Sequence, residues 1–114
     1  MTIPQKIIQA LSFSGLPVSQ TRHDGTEDAY FVFRLDVFPG DFGNDEPSHD
    51  VVAVQLHLFA PFEMNTTKLR KQVRRALVNT GFTAPEAQDV SGAARKSDGT
   101  EQHIVFECEI EEVF

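Results

Sequence analysis

The sequence predicts an α+β domain: a two-layer fold with a mostly antiparallel sheet of four or five strands and two helices on one face. Two segments carry apolar residues at helical spacing, and three carry apolar residues at every second position. The alternating segments are not each followed by a helix, as a parallel sheet would require, so hairpin connections and one solvated sheet face are expected. At 114 residues the chain is read as one domain spanning 1–114.

The first helix opens at Thr2, where "TIPQ" forms a capping box with Gln5. Pro4 falls in the first turn, where proline is tolerated. Ile3, Ile7, Ile8 and Leu11 supply an apolar stripe, and Gly15 and Pro17 end the helix. A short strand and a turn around Asp24-Gly25 lead into a long strand. There Phe31, Phe33, Leu35 and Val37 point one way, and Val32, Arg34, Asp36 and Phe38 the other. "PGDFGNDEPSHD", from Pro39 to Asp50, reads as a loop from its Pro, Gly and Asp content. In the next strand Val52, Val54, Leu56 and Leu58 share one face; Val51, Ala53, Gln55, His57 and Phe59 share the other, and Pro61 ends it.

The second helix lies in "TTKLRKQVRRALVNTGF". Asn65 or Thr66 caps it, Leu69, Val73, Ala76 and Leu77 form its apolar stripe, and Gly81 stops it ahead of Phe82. After a short extended segment and a turn-rich stretch, Ile104, Phe106, Cys108 and Ile110 alternate with His103, Val105, Glu107, Glu109 and Glu111. The expected core is the sheet face of Phe31, Phe33, Leu35, Val37, Val52, Val54, Leu56, Leu58, Ile104, Phe106 and Ile110. It packs against Ile7, Leu11, Leu69, Val73 and Leu77.

Charge is unevenly placed. There are 17 Asp plus Glu against 10 Lys plus Arg, a net charge of −7 that argues against a dedicated nucleic-acid binder. Yet Lys68, Arg70, Lys71, Arg74 and Arg75 gather within two helical turns, opposite the apolar stripe, with Val78 in their midst. That face reads as solvated exterior, as a subunit interface with acidic partner groups, or as a phosphate site. Val78 favours a protein contact with a small apolar centre and a charged rim. Glu107, Glu109 and Glu111 project from one side of the last strand and provide an acidic counterpart. Several of the ten Phe lie in or beside loops, which suits contact surfaces better than a small core.

No enzyme is expected, because no catalytic constellation is present. Cys108 is the single cysteine and lies on an apolar strand face, so it reads as a buried, inert thiol. His23, His49, His57 and His103 lack ligand spacing, and no metal or cofactor is expected; His57 and His103 become neighbours only if their strands pair. Asp41, Asp45, Glu46 and Asp50 do not have the spacing of a calcium loop. No apolar run is long enough for a membrane span, and the N-terminus does not have the form of a signal peptide; cytoplasmic synthesis and use are expected.

A helix ending in "GLPV", two long alternating strands around an acidic loop, the basic helix "LRKQVRRALVNTGF", an "AQDV" segment and a closing "IVFECEIEE" strand follow one another. This order resembles the tail terminator (tail completion) proteins of long-tailed bacteriophages and prophages, with the specific part running from Leu69 to Glu112. The resemblance implies a structural virion assembly protein: a ring homo-oligomer, usually a hexamer, that caps the tail tube and joins it to the head connector. Its partners would be itself, the tail tube protein and the head–tail connector protein, in the virion tail after assembly in the host cytoplasm. It transfers no functional residue. From the residues themselves, the expected subunit interface is Arg70, Lys71, Arg74, Arg75 and Val78 against an acidic counter-surface, either the Glu107–Glu112 strand with Glu107, Glu109 and Glu111 or the Pro39–Asp50 loop. The expected docking arm, ordering on binding, is the loop carrying Asp41, Phe42, Asp45 and Glu46. The alternative reading is a small non-enzymatic adaptor or regulatory domain that binds an acidic partner through its basic helix.

Overall fold

Alternation in the long apolar segments becomes strand pairing. The computed structural model describes residues 1–40, 42–43, 46–47, 49–91 and 101–113. Their order is α1 (Ile3–Leu11), one turn of 3-10 helix (Ser12–Ser14), β1 (Val18–Gln20), β2 (Tyr30–Pro39), β3 (Phe42–Gly43), β4 (Glu46–Pro47), β5 (His49–Pro61), α2 (Thr67–Asn79), β6 (Glu86–Asp89) and β7 (Glu101–Val113). A five-stranded sheet runs β1-β2-β5-β7-β6, and β3 and β4 form a separate two-stranded ribbon. All main-sheet pairings are antiparallel except β1 with β2. The protein is an α+β domain with a mostly antiparallel sheet.

The register puts like with like. Phe31, Leu58 and Ile104 form one row across β2, β5 and β7; Phe33, Leu56 and Phe106 form the next. These rows and Val52, Val54, Cys108 and Ile110 face Ile3, Ile7 and Leu11 of α1 and Leu69, Val73 and Leu77 of α2 in one buried cluster. Both helices therefore cover the same sheet face. The capping box at Thr2 forms, with the Thr2 amide donating to Gln5 Oε1 at 2.8 Å and the Gln5 amide to Thr2 Oγ1 at 3.3 Å. Helix α2 ends in a Schellman motif: Gly81 has φ 108°, the Phe82 amide donates to the Leu77 carbonyl, and Phe82 is buried.

Several expectations are corrected. The connection from β1 to β2 is no hairpin, because β1 lies parallel to β2 at the sheet edge. The chain leaves β1 through a tight γ-turn, in which Thr21 has φ 76° and the Arg22 amide donates to the Gln20 carbonyl. The segment Pro39–Asp50 is not all loop: β2 runs to Pro39, β5 starts at His49, and β3 pairs with β4 between them. The His49 ring packs against Gly40, where any Cβ would collide with it. Ile8 is exposed on the outer side of α1. Val37 has core parity but is 59% exposed, and Leu35 is only partly buried. Strand β1 stops opposite Phe33, so beyond that point β2 is the sheet edge and loses lateral cover. Asn65 accepts the Thr67 amide at 3.0 Å, whereas Thr66 turns inward and is buried.

Candidate functional site: two oppositely charged faces

A two-layer domain has two outer surfaces, the outside of the helices and the open face of the sheet. Their charges differ in sign. On α2, Lys68, Lys71, Arg75 and Val78 are spaced i, i+3, i+7 and i+10, and Arg74 flanks them; all five are exposed. Val78 is 44% exposed among these cations. Arg70 sits nearer the core side of the wheel and is half-buried. Its Nη2 lies 3.6 Å from Asp89 Oδ2 of β6, and its Nε donates to Thr66 Oγ1 at 3.2 Å. Arg70 is thus held by its own domain, unlike Lys71, Arg74 and Arg75.

The open sheet face is built from the alternate residues of the same strands. One row runs Arg34, Gln55, Glu107, Glu86 across β2, β5, β7 and β6; the next runs Asp36, Ala53, Glu109. Together they line an open trough of about 800 Å³, with the half-buried Ala53 on its floor. Asp36, Glu86, Glu107 and Glu109 are all exposed. Glu86 and Glu107 stand directly opposite each other, an arrangement that disfavours the pair unless a cation or solvent separates them. Among the described residues, neither these carboxylates nor Lys68, Lys71, Arg74 and Arg75 have an ion-pair partner. Farther along β7, Glu111 lies 3.7 Å from His49 Nε2.

At the other end of the open face stands a ladder of rings. Tyr30, Phe59 and His103 occupy one row across β2, β5 and β7, and His23 extends it over Tyr30. Centroid separations are 4.1, 5.1 and 4.3 Å, close to the distance between neighbouring strands, so the rings stack edge-outward across the sheet. His57 joins from the adjacent row, with its Nδ1 2.7 Å from His103 Nε2 and its Nε2 2.9 Å from Gln55 Oε1. His23 Nε2 is 3.1 Å from Glu27 Oε1, but the geometry does not make a hydrogen bond.

Burial, the neighbouring His103 and the Arg34 guanidinium all hold the His57 pKa below its ordinary value. A histidine with a depressed folded-state pKa adds stability above the ordinary value near 6.5 and loses it as pH falls from there through the lower folded-state value. The melting temperature of the parent is therefore expected to drop between pH 7.5 and 5.5, and to drop less in His57→Gln. An equal drop in both, by scanning calorimetry, would remove His57 as the titrating group.

Cys108 is buried at the sheet–helix boundary, and desolvation followed by the Glu109 charge pushes its thiol up to about 11. It is chemically inert at neutral pH. No group of three or more His, Cys, Asp or Glu suited to a metal occurs among the described residues. No helix among them is long and apolar enough to cross a membrane.

The sequence-derived interface residues Lys71, Arg74, Arg75 and Val78 share one helix side, and Glu107, Glu109 and Glu111 share the open sheet face. The structure places them on opposite sides of the domain. Of the expected docking arm, Asp41 and Asp45 lie outside the described residues, and Phe42 and Glu46 are described only as members of β3 and β4. The trough and the ring ladder were missed. Aligning the apolar faces of β2, β5 and β7 would have placed Ala53 among carboxylates and Tyr30, Phe59 and His103 in one row. His23 carries no such signal, because it comes from a connection.

No family model and no curated protein matches this chain. Chains of solved structures do match in fold. One covers 99% of this chain, is itself covered over 97%, and superposes with a TM-score of 0.55 at 12% identity. At that identity the likeness speaks for the α+β fold alone.

Proposed function

We propose that this chain is a tail terminator of a long-tailed phage or prophage, a structural protein that closes into a ring on the end of the tail tube and meets the head connector. The supporting observation is the separation of charge across the two layers. A basic helix face and an acidic sheet face on opposite sides of one domain suit a head-to-tail contact between identical copies. Such a heterologous contact closes into a ring when the rotation per copy allows it. The order of elements that carries the family resemblance is compatible with this reading. In this reading the partners are other copies of the chain in a hexameric ring, the tail tube protein and the connector protein, with no cofactor.

The test is assembly. Light scattering of the pure protein, alone and with tail tube protein, is expected to report a ring of fixed size, and electron microscopy to show rings at one end of the tubes. Arg74→Glu with Arg75→Glu is expected to leave the monomer folded, since both side chains point away from the core, and to abolish assembly. A parent chain that stays monomeric with and without tubes, and leaves tube length unchanged, would favour the adaptor reading instead.

A further inference from the structure

The open sheet face and the outside of α2 fit each other in more than the sign of their charges. We propose that the trough over Ala53 is the seat for α2 of the next copy, with Val78 on the Ala53 floor and Lys71, Arg74 and Arg75 among Asp36, Glu86, Glu107 and Glu109. The proposal rests on the ring reading and names its contact.

Three observations carry it. The first is charge: exposed cations without an ion-pair partner on one side, and exposed carboxylates without one on the other, among the described residues. Among the described lining residues Arg34 is the only cation, against Asp36, Glu86, Glu107 and Glu109. The second is an apolar contact. Val78 is 44% exposed on the same stripe as the cations, one turn beyond Arg74 and Arg75 at the C-terminal end of α2, and Ala53 is the smallest side chain in its row. A small floor leaves room for a helix to approach, and valine on alanine gives a water-excluding contact beside the charged groups. The third is size. Helix α2 has 13 residues and so is about 20 Å long at 1.5 Å per residue. Four strands at about 4.8 Å spacing make a trough roughly 15 Å across, which such a helix spans. The opposed Glu86 and Glu107 also gain a cation between them, relieving a repulsion that the isolated domain keeps.

The contact can be trapped covalently. In Ala53→Cys with Val78→Cys, mild oxidation is expected to give a ladder of disulfide-linked multimers that collapses to monomer on reduction. Either single variant should give nothing larger than a dimer, because Cys108 is buried and unreactive. A second experiment uses charge alone. Arg74→Glu/Arg75→Glu and Glu107→Lys/Glu109→Lys should each be monomeric by light scattering, yet a 1:1 mixture should assemble, since each reversed helix then meets a reversed sheet. Absence of the ladder, or failure of the mixture to assemble, overturns the seat. If the parent forms rings in that case, the ring reading survives and only its contact is wrong. If the ladder and the mixture behave as expected but tubes are never capped, the seat stands and the terminator reading falls.

Discussion

Phe106→Ala is expected to remove about 3–5 kcal/mol of stability, and Leu56→Ala about 2–5 kcal/mol. The two residues are register partners at the middle of the sheet, 1% and 0% exposed, on the face that both helices cover. Truncating either leaves a void walled by strands on one side and helices on the other, which limits how far the structure can collapse into it. Stabilities of small domains lie near 5–15 kcal/mol, so such a loss takes much of the total. Urea denaturation followed by circular dichroism measures it. If both variants unfold at the parent's midpoint, the central rows are not the core.

Gln102→Leu is expected to cost about 2–4 kcal/mol although it adds an apolar side chain to a buried position. Gln102 lies at the end of the core face and is 9% exposed. Its amide nitrogen donates to the carbonyls of Pro61 at 2.7 Å and Met64 at 2.6 Å, and its amide oxygen accepts from Thr66 Oγ1 at 3.2 Å. One side chain thus ties the end of β5 to the connection that leads into α2. Leucine matches its size but removes the donor to the Met64 carbonyl, leaves the Pro61 carbonyl with the Met64 amide at 3.1 Å, and takes the acceptor from the Thr66 hydroxyl, which is why the change should be worse than its hydrophobicity suggests. Amide exchange should also quicken in the first turn of α2. A variant as stable as the parent, with unchanged exchange there, would falsify this role.

Much of the fold was legible because period and side-chain type agreed in the long elements. Alternation in β2, β5 and β7 fixed which residues share a face, and helical spacing in α2 separated Leu69, Val73 and Leu77 from the cations. What escaped depended on tertiary reach. Val37 has the right parity, but nothing in its own neighbours says that β1 stops opposite Phe33. Val32 and Val105 have the wrong parity and are nonetheless buried at 8% each, since both flank His57 in one row of the open face. Gln102 reads as an ordinary polar strand residue until the carbonyls it meets are in place. The two charged surfaces were each readable as local patterns. That they lie back to back is a property of the two-layer arrangement.

The central place of β5 has a kinetic consequence. Strands β2 and β5 are joined by residues 40–48 and can pair as a local hairpin, on the microsecond scale of such events. Strand β7 must come from much farther along the chain: Pro61 pairs with Glu101, and His49 with Val113. Closing those long loops loses chain entropy before any contact compensates, so β7 should dock late. Until it does, β5 offers a long, apolar, unpaired edge, the kind of surface on which chains aggregate. Substitutions that delay β7 should therefore reduce the yield of soluble protein more than they lower its melting temperature.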